Sequence, residues 1–545
     1  MLSRSLGHRA PLLWLVLPYA AGLAAARSGW APSAAVSLAL AGLSLIFAGL
    51  AAGRRPALWA MALGTALFLA GSAHYVLHRA RLPAWQTLPP REAQLVLRVE
   101  RTFTPTDPRR FTGIGTVMSS DRHLHDLRGQ RLYFSLRLPP GAARPMRSSE
   151  LRVLGVLELL PDHPPADSFD AYLADAGLNF RLTRGEVQAT VRPAAAYYQF
   201  CAGVAARFRH ILGLGIEARH PTLAGLLRAM MLGETHELSE GQRQLFMQSG
   251  TMHLFAISGL NIGVIAGALQ ALLLLLRLPD VIRLVISLVL LWLFVDITGA
   301  SASAVRAFIM AAFLQAAFVL RQPASPLAAL TGSAWCVLLL APQQLFSASF
   351  QMSYGIVAAL LLLGLPLGDA WQARWTPFAL LPKALWRWWH RWINWSWHWL
   401  TTAVAIGVAS TLVSLLTGVK FFQLITPGAL LANLVLIPGA MLTTLGGFAS
   451  LAVGLAGMDR LTVLFNHAAA LTLLVIEWLV QVSVQVPGSH LPAHFVHPRI
   501  GSAALAVLLG AMMFGYARRW TPSGGGWWPP FLITALTLIF GVKFG

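Results

Sequence analysis

The apolar positions of this chain follow two rhythms. Runs of roughly 20 apolar residues, the length that crosses a bilayer as a helix, fill about 11–27, 32–52 and 56–76 and return beyond residue 252. Between them, about 80–192, the runs shorten and Pro and Arg become frequent. There "AQLVLRVERTF", "GIGTVMSS", "QRLYFSLRLP", "ELRVLGVLELL" and "NFRLTRGEVQATV" cluster β-favouring residues between turn signals such as "TPTDP" and "PPGAARP". Five strands at this spacing predict a small all-β barrel or sandwich inserted between membrane helices.

Residues 194–250 read as amphipathic helices lying along a surface, because "ARFRHILGLG" and "LAGLLRAMMLGE" carry their charges on one side. Ser239 followed by Gln242 has capping-box spacing, and Gly250 offers a stop. Further spans are expected near 252–276, 281–298, 304–321, 325–341, 349–368, 400–418, 425–455, 461–486, 500–517 and 529–544. The 425–455 run holds Pro427, Pro438 and Gly446–Gly447, which predicts a broken crossing. "WQARWTPFALLPKALWRWWHRWINWSWHW" (371–399) reads as an interfacial belt, since Trp and Arg gather where membrane meets water. The predicted fold is thus a polytopic α-helical membrane protein of about 11–13 spans. Its parts are N-terminal helices at 1–79, the β domain at 80–192, interfacial helices at 193–250 and a helical membrane domain at 251–545.

Composition agrees, with 56% hydrophobic and 11% charged residues against about 25% charged in soluble domains. The scarce charge is lopsided: 41 Lys plus Arg against 21 Asp plus Glu. Positive-inside loops account for such a bias, and so does a polyanionic partner such as nucleic acid or anionic lipid. Arg4, Arg9 and "GRRP" (53–56) place the N-terminus and the second link in the cytoplasm, so the β domain is expected outside. The two cysteines, Cys201 and Cys336, lack metal spacing.

Several chemistries lack their motifs. A Walker A loop needs Gly-Lys-Ser/Thr, and none of the three lysines, Lys383, Lys420 and Lys543, fits. "RHLHDLRG" (122–129) offers His123, His125 and Asp126 but no third or fourth converging ligand, so it reads as a polar loop. No cofactor, no metal and no nuclease or ATPase activity are expected.

Polar residues inside apolar runs carry the functional signal, because ionisable and amide groups at membrane depth usually face a bundle interior or a pathway. On one helix over 252–267, His253, Ser258 and Asn261 would share a face. Gly259, Gly263 and Gly267 would form an opposite face of overlapping GxxxG steps for close packing. Asp296 and Arg306 flank Ser301 and Ser303 in the next unusual stretch, either pairing with each other or lining a solvated path. Ser349, Gln351 and Ser353 open another span, and Asn433 precedes Pro438.

These stretches match a known pattern. "LLRAMMLGETHELSEGQRQLFMQSGTMHLFAISGLNIGVIAG" (226–267) resembles the core motif of the ComEC competence family. "TGASASAVRAFIM" (298–310), "LFSASFQMSYGIVAAL" (345–360) and "LLANLVLIPGAMLTTLGG" (430–447) resemble its next blocks in order, and "DSFDAYLADAGLNFRL" (167–182) the end of its OB-fold-like domain. The resemblance implies a bacterial cytoplasmic-membrane channel that passes single-stranded DNA inward during natural transformation. It also implies membrane lipids around the chain, a DNA receptor outside, an ATP-driven translocase inside and a separate nuclease. His253, Ser258, Asn261, Asp296, Ser301, Ser303, Arg306, Gln351 and Asn433 would line or shape the path. The OB-like domain would receive DNA through Arg98, Arg101, Phe103, Phe111, Tyr133 and Phe134.

Two departures stand out. The family usually has His after Ser-Gly-Leu where this chain has Asn261, which hydrogen-bonds without titrating. Many members continue into a metallo-β-lactamase-like domain, so the resemblance is to a short form or a truncated chain. A secondary transporter for a small or lipid-linked anionic substrate is the competing class, and a membrane scaffold without transport is a third.

Overall fold

The strands expected between 80 and 192 form and close on themselves. A computed structural model describes residues 10–78, 85, 89–103, 107, 109–161, 164, 168–255, 257–321 and 325–544, without the side chains of 122, 123 and 523. The start of the β region, the centre of the "TPTDP" turn and the side chain of His123 therefore lie outside the described residues. Strands β1 (Arg91–Phe103), β2 (Arg110–Ser120), β3 (Arg131–Arg137), β4 (Glu150–Leu159) and β5 (Phe180–Arg192) make a barrel in the order β1-β2-β3-β5-β4. All neighbours are antiparallel except β3 and β5.

Alternation gives the strands an apolar face to bury: Ala93, Leu95, Leu97 and Val99 of β1 point inward, as their burial shows. Phe111 and Phe134 complete this core with ring centroids 5.1 Å apart. Gly113 makes room for them, since a Cβ there would lie 2.7 Å from Phe134 Cζ and 2.2 Å from the Arg101 carbonyl oxygen. Helix α4 (Phe169–Asp175), capped by Ser168, lies between β4 and β5.

The barrel belongs to a compact unit of Trp14–Arg207 with Trp335–Phe346. Its helices are α1 (Leu13–Arg27), α2 (Ala34–Ala51) and α3 (Pro56–His78). Small residues bring α1 and α3 together: a Cβ on Gly22 would lie 1.9 Å from the Phe68 carbonyl oxygen, and one on Gly71 2.3 Å from that of Tyr19. Tyr19 hydrogen-bonds His74 across this seam. Arg27, ending α1, pairs with Asp175 of α4 at 3.0 Å.

The second unit, chiefly Phe208–Ala334 and Ser347–Gly545, is helical. In order come α5 (Ala196–Gly213, shared with the first unit), α6 (Pro221–Leu232), α7 (Glu240–Gln248), α8 (Gly259–Leu275), α9 (Asp280–Ile297) and α10 (Ala302–Val319). Then follow α11 (Pro326–Leu340, likewise shared), α12 (Ala348–Ala359), α13 (Leu365–Arg374), α14 (Trp388–Phe422), α15 (Ala429–Leu455), α16 (Asp459–Gln485), α17 (Pro498–Ala517) and α18 (Trp528–Gly541). Across the whole chain, nine helical segments among the described residues are long and apolar enough to cross a membrane, and four apolar helices are shorter. α9 has the length of a span but carries Asp280, Arg283 and Asp296.

Three expectations need correction. α15 is one unbroken helix of 27 residues with Pro438 inside it. At 1.5 Å per residue it is about 40 Å long, which fits a bilayer with its headgroups without a break. α6 is no surface helix. Nine of its twelve residues are buried, and its one charge, Arg228, is satisfied by carboxylates. The Trp-rich stretch from Trp388 is the beginning of α14, a continuous 35-residue helix about 52 Å long, rather than a separate element. The capping box at Ser239 and Gln242 forms as expected.

Short strands β6 (Leu424–Ile425), β7 (Leu491–Phe495) and β8 (Val542–Phe544) pair into a small sheet. It joins the loops after α14 and α16 to the end of α18.

Candidate polar path and aromatic face

The helix imagined over 252–267 is split. His253 lies in a short 3-10 turn, exposed, with Nδ1 3.0 Å from the Gly250 carbonyl oxygen. α8 starts only at Gly259, and Ser258 is its N-cap, its Oγ accepting from the Asn261 N–H at 3.3 Å. The shared polar face therefore does not exist, because a Ser that caps a helix cannot also sit on its wheel.

Asn261 is 2% exposed. Its Nδ2 donates to the Met230 carbonyl oxygen at 3.1 Å, and its Oδ1 accepts from Thr444 Oγ1 at 3.3 Å. Met230 is in the last turn of α6, whose carbonyls lack helical partners. Asn261 thus caps α6 from a distance and ties it to α8 and α15. The proposed glycine face fails as well. Among the described residues, nothing lies within 4 Å of a Cβ built on Gly263 or Gly267, and Gly259 meets only Ala307, at 3.8 Å.

Arg306, one turn into α10, is 3% exposed. It does not pair with the half-buried Asp296; its Nη2 donates to the Ser349 carbonyl oxygen at 2.8 Å and to Ser349 Oγ at 2.6 Å. Nε and Nη1 are buried without a hydrogen-bond partner among the described residues. Ser301 caps α10, with Oγ accepting from Ala304 N–H at 3.3 Å, and Ser303 is half-buried in the first turn. Two residues beyond Ser349, Gln351 Oε1 accepts from Lys420 Nζ at 2.8 Å, and Nζ also donates to Ser502 Oγ at 2.7 Å. Arg306 and Lys420 thus both reach the first turn of α12. Asn433 is half-buried in α15, its Oδ1 buried without a partner among the described residues.

Sequence reasoning missed Lys420, Ser502 and Thr444. A lysine at the end of an apolar run reads as a side chain reaching for the membrane surface, and Ser502 and Thr444 look like ordinary small residues. The available signal was the scarcity of lysine itself.

In the barrel unit, Arg98 donates to Glu150 at 2.8 Å. The Arg101 guanidinium lies 5.3 Å from the Phe103 ring, which is 6.3 Å from Tyr133. Phe111 and Phe134, offered as stacking platforms, are instead barrel core at 3% and 0% exposure. Two unforeseen aromatics extend the surface cluster: Phe169 lies 5.0 Å from Tyr133 and stacks at 6.0 Å with Tyr172, both exposed. His125 Nε2 sits 2.8 Å from Asp126 Oδ1 in a turn.

A charged cluster borders α6. Arg228 reaches Glu217 at 2.5 Å and Glu237 at 3.3 Å, and Arg209 reaches Glu234 at 2.5 Å. Hydrogen bonding from Arg228 holds the Glu217 carboxyl below the usual range. Burial, with Glu234 adding to it against the pull of Arg228, pushes Glu237 up. The signs oppose: Glu217 contributes stability that is lost as pH falls, whereas Glu237 contributes stability that is lost as pH rises through its folded value. Glu237→Gln keeps the oxygen facing Arg228 and removes the second dependence. Thermal unfolding across pH is expected to show this variant more stable than wild type at neutral and alkaline pH, the gap closing in acid.

Long apolar helices, a five-stranded barrel and polar groups buried between helices define a multi-pass membrane protein with a small β domain. The chain belongs to the competence protein family, whose model matches residues 230–521. Arg306, Gln351, Lys420 and Ser502 all fall within that match. It is similar to ComE operon protein 3 of Bacillus subtilis (strain 168), 27% identical over 205 residues, 37% of this chain and 26% of that protein. The similar stretch thus spans about a quarter of that curated relative's length. No solved structure matches.

Proposed function

We propose that this protein conducts single-stranded DNA across the bacterial cytoplasmic membrane during natural transformation. One observation carries the reading. Within the family-matched segment, two cationic side chains, Arg306 and Lys420, meet the first turn of α12 through neutral acceptors, Ser349 and Gln351. Cations held this way suit a polyanion. The barrel's strand order supports an OB-like module on the outer side, and Phe103, Tyr133, Phe169 and Tyr172 beside Arg101 are its stacking surface. The arginines at 4, 9, 54 and 55 support that sidedness. Driving force comes from partners: a DNA receptor outside, an ATP-driven translocase inside and a separate nuclease, with membrane lipids around the helices.

Burial of Arg306 also suits the competing class, a secondary transporter with a closed pocket for a small or lipid-linked anion. Lys420→Met separates them, because it removes charge while keeping length. Uptake of labelled DNA into the cytoplasm is expected to fall about tenfold or more, one charge-assisted contact being worth about 1.5–3 kcal/mol. Protein level in the membrane is expected to be unchanged. Unaltered uptake at that level rejects the DNA path.

A further inference from the structure

Arg306 lies near one serine-capped helix start, reaches a second, and has as its neighbour Ala307, which touches a third. Ser258 caps α8, Ser301 caps α10 and Ser347 caps α12, the last accepting from Phe350 N–H at 3.1 Å. Ala307, next to Arg306, is the neighbour of Gly259 in the first turn of α8. The guanidinium itself reaches Ser349 in the first turn of α12. A helix start carries about half a positive charge, and its serine cap satisfies only one of its free N–H groups. Arg306 adds a full positive charge to this convergence, yet its acceptors are the two neutral oxygens of Ser349. Two of its three nitrogens, Nε and Nη1, are buried without a partner among the described residues. A buried polar donor left unmet costs about 1–3 kcal/mol, more when charged. Every element of the cluster therefore favours an anion.

We propose that Arg306 and these three helix starts form an oxyanion site for a phosphate group, masked in this conformation by the hydrogen bonds to Ser349. The guanidinium fork matches two phosphate oxygens, whereas Ser349 occupies only one of its nitrogens. Because Arg306 is covered, phosphate enters only when α10 and α12 part, and a ligand that binds only the parted state draws the population toward it. The inference rests on the DNA-path reading for its ligand, a phosphodiester of the moving strand. To that reading it adds the group the path selects by and the contact that closes it.

The test uses the full chain purified in detergent. Inorganic phosphate is expected to raise Tm above the effect of chloride at matched ionic strength. Arg306→Gln abolishes the difference and Arg306→Lys retains part of it. Ser349→Ala, which removes one competing acceptor and leaves the guanidinium in place, enlarges it. An equal phosphate effect in Arg306→Gln overturns the site, as does no effect in both wild type and Ser349→Ala. If Arg306→Gln does not fold, a Ser349→Ala response no larger than wild type overturns it. Competition then identifies the source. Displacement of phosphate by a single-stranded oligonucleotide upholds site and DNA path together. Displacement by a short-chain phosphatidic acid but not by the oligonucleotide upholds the site and overturns the DNA path.

Discussion

Gly22→Val is expected to prevent stable packing of the N-terminal helices. The new Cβ would lie 1.9 Å from the Phe68 carbonyl oxygen and 3.0 Å from the Ser72 nitrogen. Both are backbone atoms of α3, so no side chain can swing aside to relieve the contact. The helices must move apart, which also breaks the Tyr19–His74 hydrogen bond across the same seam. Overpacking a close contact costs about 1–3 kcal/mol and more where the backbone must move, so a loss of about 3 kcal/mol or more is expected. Thermal unfolding of the purified protein, with its level in membranes, measures this. Gly263→Ala is the control. With none of the described residues within 4 Å of the new methyl, it removes a flexible residue from a helix interior and is expected to be neutral or stabilising by about 0.5–1 kcal/mol. Equal damage from both substitutions would contradict the close approach of α1 and α3.

The second large effect is expected at Asn261. Asn261→Leu removes the donor that satisfies the Met230 carbonyl at the end of α6 and the acceptor facing Thr444. Leaving a buried carbonyl unmet costs about 1–3 kcal/mol. Thr444 keeps its bond to the Ala440 carbonyl oxygen, so the loss concentrates on α6. Asn261→His retains a ring N–H able to reach Met230, so its cost is expected to be smaller. Hydrogen exchange of the 229–233 amides reads the result directly. Faster exchange with Leu and near-native exchange with His is expected; faster exchange with both would show that the side-chain bond is not what holds the turn.

What the sequence discloses about this molecule follows the range of each interaction. Strand alternation is local, so all five barrel strands were legible at nearly their observed bounds. Closure depends on β1 meeting β4 more than fifty residues away, which no local pattern encodes. The same limit explains the glycines. Gly259, Gly263 and Gly267 form a conspicuous motif, yet a motif packs only where a partner arrives. Gly22 and Gly71, unremarkable singly, are where it does. Among the polar residues, chemical type was legible and role was not. Ser258, Ser301 and Ser347 are helix caps, and Asn261 is a tie between helices. Arg306 stood out because a charge in an apolar run is rare. Its partner Ser349 reads in the sequence only as one of three polar residues opening a span.

The small sheet near the chain's end divides the bundle mechanically. Through β6, β7 and β8 it binds the ends of α14, α16 and α18 and the starts of α15 and α17 in one set of backbone hydrogen bonds. Any opening of the bundle that spares those bonds carries five helix ends as a single block. No strand of that sheet holds α8, α10 or α12. Lys420 ties α12 to that block through Gln351, so the Arg306–Ser349 contact is what joins α10 to it.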